Sequence, residues 1–241
     1  MIDIRNSNNF YYSQASLSTF LKCPLKFKIK YIDKIHWRDD KLDDISESVE
    51  IGKDFHLICE RYFKKIPLGI QKGSIFDLWI SNIQRFIKVN DKDTYLPEYE
   101  IRINNEGIRL LAKYDLIVIR EDGKIEIYDW KTQKKKLEKF ELENSIQTVV
   151  YMYLLKKMSK KVLGQDISEK DITMIYWQPT HTEVIKIDYS EEKYKAHEKY
   201  IENIIKTIQN YDFETELSIK DNSNECRYCE FKCFCENSQE I

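Results

Sequence analysis

Apolar and polar residues change period several times along this chain, and each change marks an element. Between residues 45 and 63, ISESVEIGKDFHLICERYF carries Ile51, Phe55, Ile58, Cys59 and Tyr62 at helical spacing, with His56 beside the stripe. A second amphipathic stretch, SIFDLWISNIQRFIKV at 74–89, opens on Ser74 as its N-cap. The period then falls to two. EYEIRI, GIRLLAKYDLIVI and KIEIYDW, divided by NNEG (104–107) and EDGK (121–124), predict an antiparallel meander of three strands. ELENSIQTVVYMYLLKKM (141–158) returns to helix, ITMIYWQ (172–178) and EVIKIDY (183–189) predict strands, and Ser190 caps a helix reaching Asn210.

Ahead of these elements, Lys22, Lys26, Lys30 and Lys34 recur every four residues, while Leu17, Phe20, Pro24, Phe27 and Tyr31 alternate by three and four. The pattern predicts a helical region apolar on one face and basic on another, with Pro24 opening a second segment. The four lysines are candidate nucleic-acid-binding residues; an ordinary solvated helix face carries the same signature.

Composition narrows the class. The chain has 241 residues, 42% of them hydrophobic, enough for one well-buried core without disulfide staples. The expected organisation is a main domain over residues 1–220 and a tail over 221–241, entered through the polar stretch DNSNE. The start lacks a basic segment followed by an apolar one, and no window is apolar enough to span a bilayer, so a cytoplasmic protein away from membranes is expected. A net charge of −2 argues against a generally basic coat for nucleic acid, leaving local patches. Four of the six cysteines crowd into CRYCEFKCFCE (226–236), which in a reducing compartment points to a metal or cluster site rather than disulfides.

The candidate chemistry lies on the second hairpin. With Asp122-Gly123 as a two-residue turn, Asp115 falls opposite Trp130 and Leu116 opposite Asp129, making the two aspartates cross-strand neighbours. Asp129 and Lys131 share a face and Trp130 points away. Two carboxylates and an ammonium suit a magnesium or manganese ion and phosphodiester hydrolysis. The same three residues also fit a surface ion pair worth under about 1 kcal/mol. Gln147 and Tyr151, one helical turn apart, and His56 join them as candidates. Glu100, on the preceding strand, is expected to pair with a neighbouring lysine before extending the site.

Taken in order, these motifs resemble the PD-(D/E)XK nuclease superfamily, in its RecB and AddB-like branch, which includes cluster-bearing CRISPR-associated exonucleases. SQASLSTFLKCPLKFKIKY is similar to the branch's opening signature, GKDFH to its Gly-x-x-x-His segment, KYDLIVI and IYDWKTQ to its two acidic strands, and QTVVY to its Gln-x-x-x-Tyr helix. Asp129 stands before x-Lys, and Tyr114 rather than proline precedes the first acid. The resemblance implies an α/β (α+β) restriction-endonuclease-like core, with a mixed central sheet flanked by helices. It implies that His56, Asp115, Asp129 and the Trp130 carbonyl bind Mg2+ or Mn2+, that Lys131 acts on the attacking water, and that Gln147 and Tyr151 position substrate or brace the site.

In cluster-bearing members, one cysteine of the N-terminal Cys-Pro segment joins three near the C-terminus. Here the resemblance implies Cys23 with Cys226, Cys229 and Cys235, joining the two ends of the chain through a [4Fe-4S] cluster; four thiolates suit zinc equally. Cys233 is then spare, although it could replace Cys23 in a local zinc knuckle, and Cys59 is expected in the core. The expected function is a metal-dependent deoxyribonuclease, an exonuclease on single-stranded ends in repair, recombination or defence, with a helicase as a conceivable partner. Tyr31, Trp37 and Trp130 are candidates for stacking on bases. Two rival readings are a non-catalytic nucleic-acid-binding module and a redox or metal-storage protein.

Overall fold

The computed structural model describes residues 10–35, 43–105, 107–181, 183–215, 226 and 229–237. In chain order come β1 (Tyr12–Ser13), α1 (Gln14–Lys22), α2 (Pro24–Phe27) running into a π turn (Lys28–Ile32), α3 (Asp43–Phe63) and α4 (Ile75–Phe86). They are followed by β2 (Thr94–Asn105), β3 (Ile108–Ile119), β4 (Ile125–Trp130), α5 (Lys139–Glu143), α6 (Ile146–Val162), β5 (Ile172–Gln178), β6 (Glu183–Asp188), α7 (Glu191–Asn210) and α8 (Lys232–Asn237).

The strands form one mixed sheet. β2 lies antiparallel along all of β3, whose other edge is shared by β4, antiparallel at Leu116–Ile119, and β1, parallel at Leu110–Leu111. β5 then runs parallel to β4, and β6 antiparallel to β5. Helices cover both faces. Leu17, Phe20, Val150, Leu154 and Ile205 from α1, α6 and α7 pack on one. Phe55, Cys59, Trp79 and Ile83 from α3 and α4 pack on the other, against Leu116, Val118, Trp130 and Trp177. This double cover explains why ITMIYWQ lacks alternation: β5 is buried on both sides. Cys59 is core, as expected. No described helix is long and apolar enough to cross a membrane.

Several expectations change. The β3–β4 turn is not a two-residue loop. Arg120 N–H donates to the Lys124 carbonyl (2.8 Å), Gly123 N–H to the Arg120 carbonyl (2.9 Å), and Gly123 takes φ +84°, giving a three-residue loop with glycine in the left-handed position. The register therefore moves by one: Leu116 faces Tyr128 rather than Asp129. Continued one step, it sets Asp115 against Asp129 rather than Trp130. The predicted helix over 141–158 is two helices, because Ser145 accepts the Thr148 N–H and starts α6 afresh. β1 and the π turn are too short for periodicity to show. Pro24 does open a new helix, with Cys23 as its N-cap. The DNSNE linker lies outside the described residues.

Candidate active site

Three adjacent strands each bring one carboxylate to the same row. Asp115 on β3 lies between Asp129 at the end of β4 and Glu98 on β2, which the register Pro97↔Leu116, Tyr99↔Tyr114 sets directly across from it. The ladder skips the Glu98 position, where the backbone turns to φ +51°. A left-handed glutamate is uncommon and costs on the order of 1 kcal/mol, the kind of local strain that collects at functional sites.

Asp129 is 2% exposed. Its Oδ1 accepts a hydrogen bond from Gln147 Nε2, and its Oδ2 lies 2.7 Å from Lys131 Nζ without accepting an aligned hydrogen bond among the described residues. Burial, followed by the nearby Asp115 charge, pushes its pKa up to about 6 against the pull of Lys131 and His56. Asp115 accepts the Trp130 N–H through Oδ2 (2.8 Å) and faces His56 Nδ1 through Oδ1 (3.2 Å). The other ring nitrogen, Nε2, is 3.2 Å from the Trp130 carbonyl oxygen. With acceptors at both nitrogens the imidazolium suits the ring. Burial opposes that charge, yet Asp115 foremost, then Asp129 and Glu98, raise the His56 pKa.

His56 is placed by its own helix. One turn earlier α3 carries Gly52, where an added Cβ would come within 3.1 Å of Thr132 Oγ1. The glycine of GKDFH therefore permits the close approach of α3 to the chain just after β4. From the opposite face, α6 contributes Gln147, which accepts from Lys131 Nζ (2.8 Å) while donating to Asp129, fixing both. Tyr151, one turn on, braces the sheet instead: its hydroxyl donates to the Lys113 carbonyl (2.6 Å), and its own carbonyl accepts from Tyr114.

His56, Glu98 and Asp115 offer ligand atoms within 4.8 Å of one another. The donor set fits a hard divalent cation: clustered carboxylates, an imidazole, a nearby carbonyl, and a buried Asp129 oxygen lacking an aligned donor. Lys113 Nζ, 2.5 Å from Glu98 Oε2, partly balances the charge. The site opens into a groove of about 1010 Å3 lined by His56, Glu98, Lys113, Lys131 and Lys134, with Val49, Leu57 and Ile75 as partly exposed apolar wall.

Sequence reasoning named Glu100 and missed Glu98. Glu100 pairs with Arg102 (2.5 Å) and stands outside the site. Counting back from the NNEG turn, which closes at Asn105↔Ile108, would have placed Glu98 across from Asp115. The Trp130 ring is buried beside Phe63 and Trp177, so it offers no face to a base. Tyr31 packs against Phe27, and Trp37 lies outside the described residues.

The segments around Cys23 and Cys229 meet in a small cluster of their own. Cys23, Cys229 and Cys235 pack with Leu25, Ile29 and Phe231. Cys226 is described, its carbonyl accepting from Cys229 N–H (3.2 Å), while the Cys233 side chain lies outside the described residues. Burial first, opposed by Lys26 and added to by Glu230 and Cys23, raises the Cys229 pKa. Glu230 accepts from Lys26 (2.6 Å) and lies 3.8 Å from Lys30, so two of the four stripe lysines hold the tail. Lys22 and Lys34 stand at the two ends of that region.

A family model described as the PD-(D/E)XK nuclease superfamily matches residues 11–85 and 80–236. A crystal structure of a candidate exonuclease from Eubacterium rectale is similar in fold: 12% identity over 86% of this chain and 84% of that one, with a TM-score of 0.50. A second solved structure, of SSO0001, aligns at 16% identity over 76% of this chain and 83% of that chain, with a TM-score of 0.35. No curated protein matches the chain.

Proposed function

The chain belongs to the PD-(D/E)XK nuclease superfamily, and on that footing we propose that it is a divalent-metal-dependent deoxyribonuclease acting on free single-stranded ends. The observation that carries this reading is the row Glu98, Asp115 and Asp129 closed by His56 and Lys131. His56 as the neutral imidazole, Asp115, Asp129 and the Trp130 carbonyl would hold Mg2+ or Mn2+, with Glu98 as a further ligand. A bound ion of this kind supplies Lewis acidity toward a phosphoryl oxygen and an activated water.

The chain's own groups do the rest. Lys131 Nζ, oriented by Gln147 and Asp129, donates to the attacking water or to a phosphoryl oxygen and offsets the negative charge that grows there. Gln147 and Tyr151 are positioning residues, one through the Asp129–Lys131 pair and the other through the backbone of β3. Support for an unpaired strand comes from the groove, whose wall at Val49, Leu57 and Ile75 suits unstacked bases while its lysines suit the backbone.

At the joined chain ends, Cys23, Cys226, Cys229 and Cys235 hold a [4Fe-4S] cluster with a structural role, a reading supported by the shared packing of three of them. Protein purified without oxygen would be brown, absorbing near ~400 nm as thiolate-bound clusters do, and would contain iron and sulfide. A colourless protein with stoichiometric zinc would replace the cluster with zinc.

Incubating purified protein with Mn2+ and end-labelled oligodeoxynucleotides tests the main reading. Cleavage is expected that is lost in Asp129→Ala and Lys131→Ala. Equal cleavage by those variants would remove this site from the chemistry.

A further inference from the structure

The segment after β4 reads KTQKKKLEK, and its three consecutive lysines meet different fates. Lys136 pairs with Glu183 (2.6 Å), and Lys135 lies 3.8 Å from Glu141. Lys134 has no acidic partner among the described residues, and it lines the groove beside Lys131.

Its backbone is held with unusual completeness for a surface loop. Gln178, the last residue of β5, is 1% exposed and spends its whole amide on this loop. Oε1 accepts the Leu137 N–H (3.0 Å), while Nε2 donates to the carbonyls of Gln133 (3.1 Å) and Lys135 (2.9 Å). His181 Nε2 lies 2.8 Å from the carbonyl of Lys134 itself. The carbonyls of residues 133, 134 and 135 are thus all engaged, and moving the loop would strand a buried amide. Such anchoring fixes the point from which the Lys134 side chain leaves the backbone.

We propose that Lys134, aimed by Gln178 and His181, binds the substrate phosphate next to the one being cut. The proposal deepens the nuclease reading and rests on it. Two residues, Thr132 and Gln133, separate Lys134 from Lys131, and three chain steps span at most about 11 Å between α-carbons, which two lysines can bridge to neighbouring phosphates of one strand. Gln178 and His181 act here as positioning residues. The ligand class is a phosphodiester backbone read by charge and not by base sequence.

The test compares Lys134→Ala with Lys135→Ala and Lys136→Ala. Binding of a fluorescein-labelled oligodeoxynucleotide would be followed by anisotropy without divalent metal, between 50 and 200 mM salt, alongside Mn2+-dependent kinetics. Lys134→Ala should weaken binding about fivefold and flatten the salt slope by roughly one phosphate contact. KM should rise by a similar factor, with kcat moving less than about twofold. Lys134→Arg should restore binding, and Lys135→Ala and Lys136→Ala should match wild type. Gln178→Met should raise KM like Lys134→Ala; should that variant misfold, the lysine series decides. If wild type binds and cuts but Lys134→Ala behaves like Lys135→Ala, the Lys134 assignment falls alone. If wild type neither binds nor cuts, the nuclease reading falls and takes the assignment with it.

Discussion

Glu98 lies across from Asp115 at the one position where the β2–β3 ladder is not paired, and its backbone there is left-handed. The departure coincides with a third carboxylate standing beside His56 and Asp115. Strain of this kind is retained when the surrounding structure holds it, here the long ladder on either side.

Glu98→Gln should therefore lower Mn2+ affinity by about tenfold, a typical effect for a residue supporting a metal site. Isothermal titration measures this directly. Glu100→Gln, at a carboxylate that pairs with Arg102 outside the site, should leave affinity as it is. Equal affinity in both variants would remove Glu98 from the ligand set.

Asp129 gives a pH-dependent signature in metal-free protein. Its folded pKa, about 6, exceeds the ordinary carboxylate value, so the folded state keeps a proton that the unfolded state has released. Stability should fall as pH rises from about 4 to about 6 and then level off, as far as this group contributes. Asp129→Asn lacks that loss. Its Tm without metal should exceed that of wild type at pH 7, and the gap should close near pH 4. Saturating Mn2+ at pH 7 should raise the Tm of wild type and not that of the variant.

Gly52 tests how closely α3 must approach the end of β4. Gly52→Ala brings a Cβ to within 3.1 Å of Thr132 Oγ1 and should displace His56, one turn on. The expected loss in kcat/KM is about tenfold, since small misplacements at a reacting centre are costly. Removing the opposing atoms with Thr132→Ala should recover most of it in the double variant, a coupling that a kinetic double-mutant cycle reads.

Glu230 ties the tail to α2 through a half-buried ion pair with Lys26. Burial opposes its charge, but the hydrogen bond and charge of Lys26 prevail and hold its pKa below the usual value. Docking strength from this pair is thus present above about pH 4.5 and is lost as pH falls further. Glu230→Gln should speed proteolytic clipping within the tail at pH 7 by about two- to fivefold, consistent with roughly 0.5–1 kcal/mol for such a pair. Unchanged clipping would make the pair incidental to docking.

The sequence by itself determined the elements and most of the chemistry. Period-two runs gave β2, β3, β4 and β6, a short apolar run gave β5, helical stripes gave α3, α4 and α7, and the spacing Asp129-x-Lys131 put a carboxylate and an ammonium on one face because side chains alternate along an extended chain. What the tertiary structure decided was register and convergence. A three-residue turn at Gly123 set Asp115 against Asp129, and the left-handed backbone at Glu98 broke the ladder at the position where a third acid meets them. Pairing of distant lysines also depended on the fold: Lys26 and Lys30 meet Glu230, while Lys134 faces the groove, although all three sit in similarly basic runs. Side-chain periodicity is a local property of the chain, but which charges face one another depends on how sheets and helices pack, and that is written only in three dimensions.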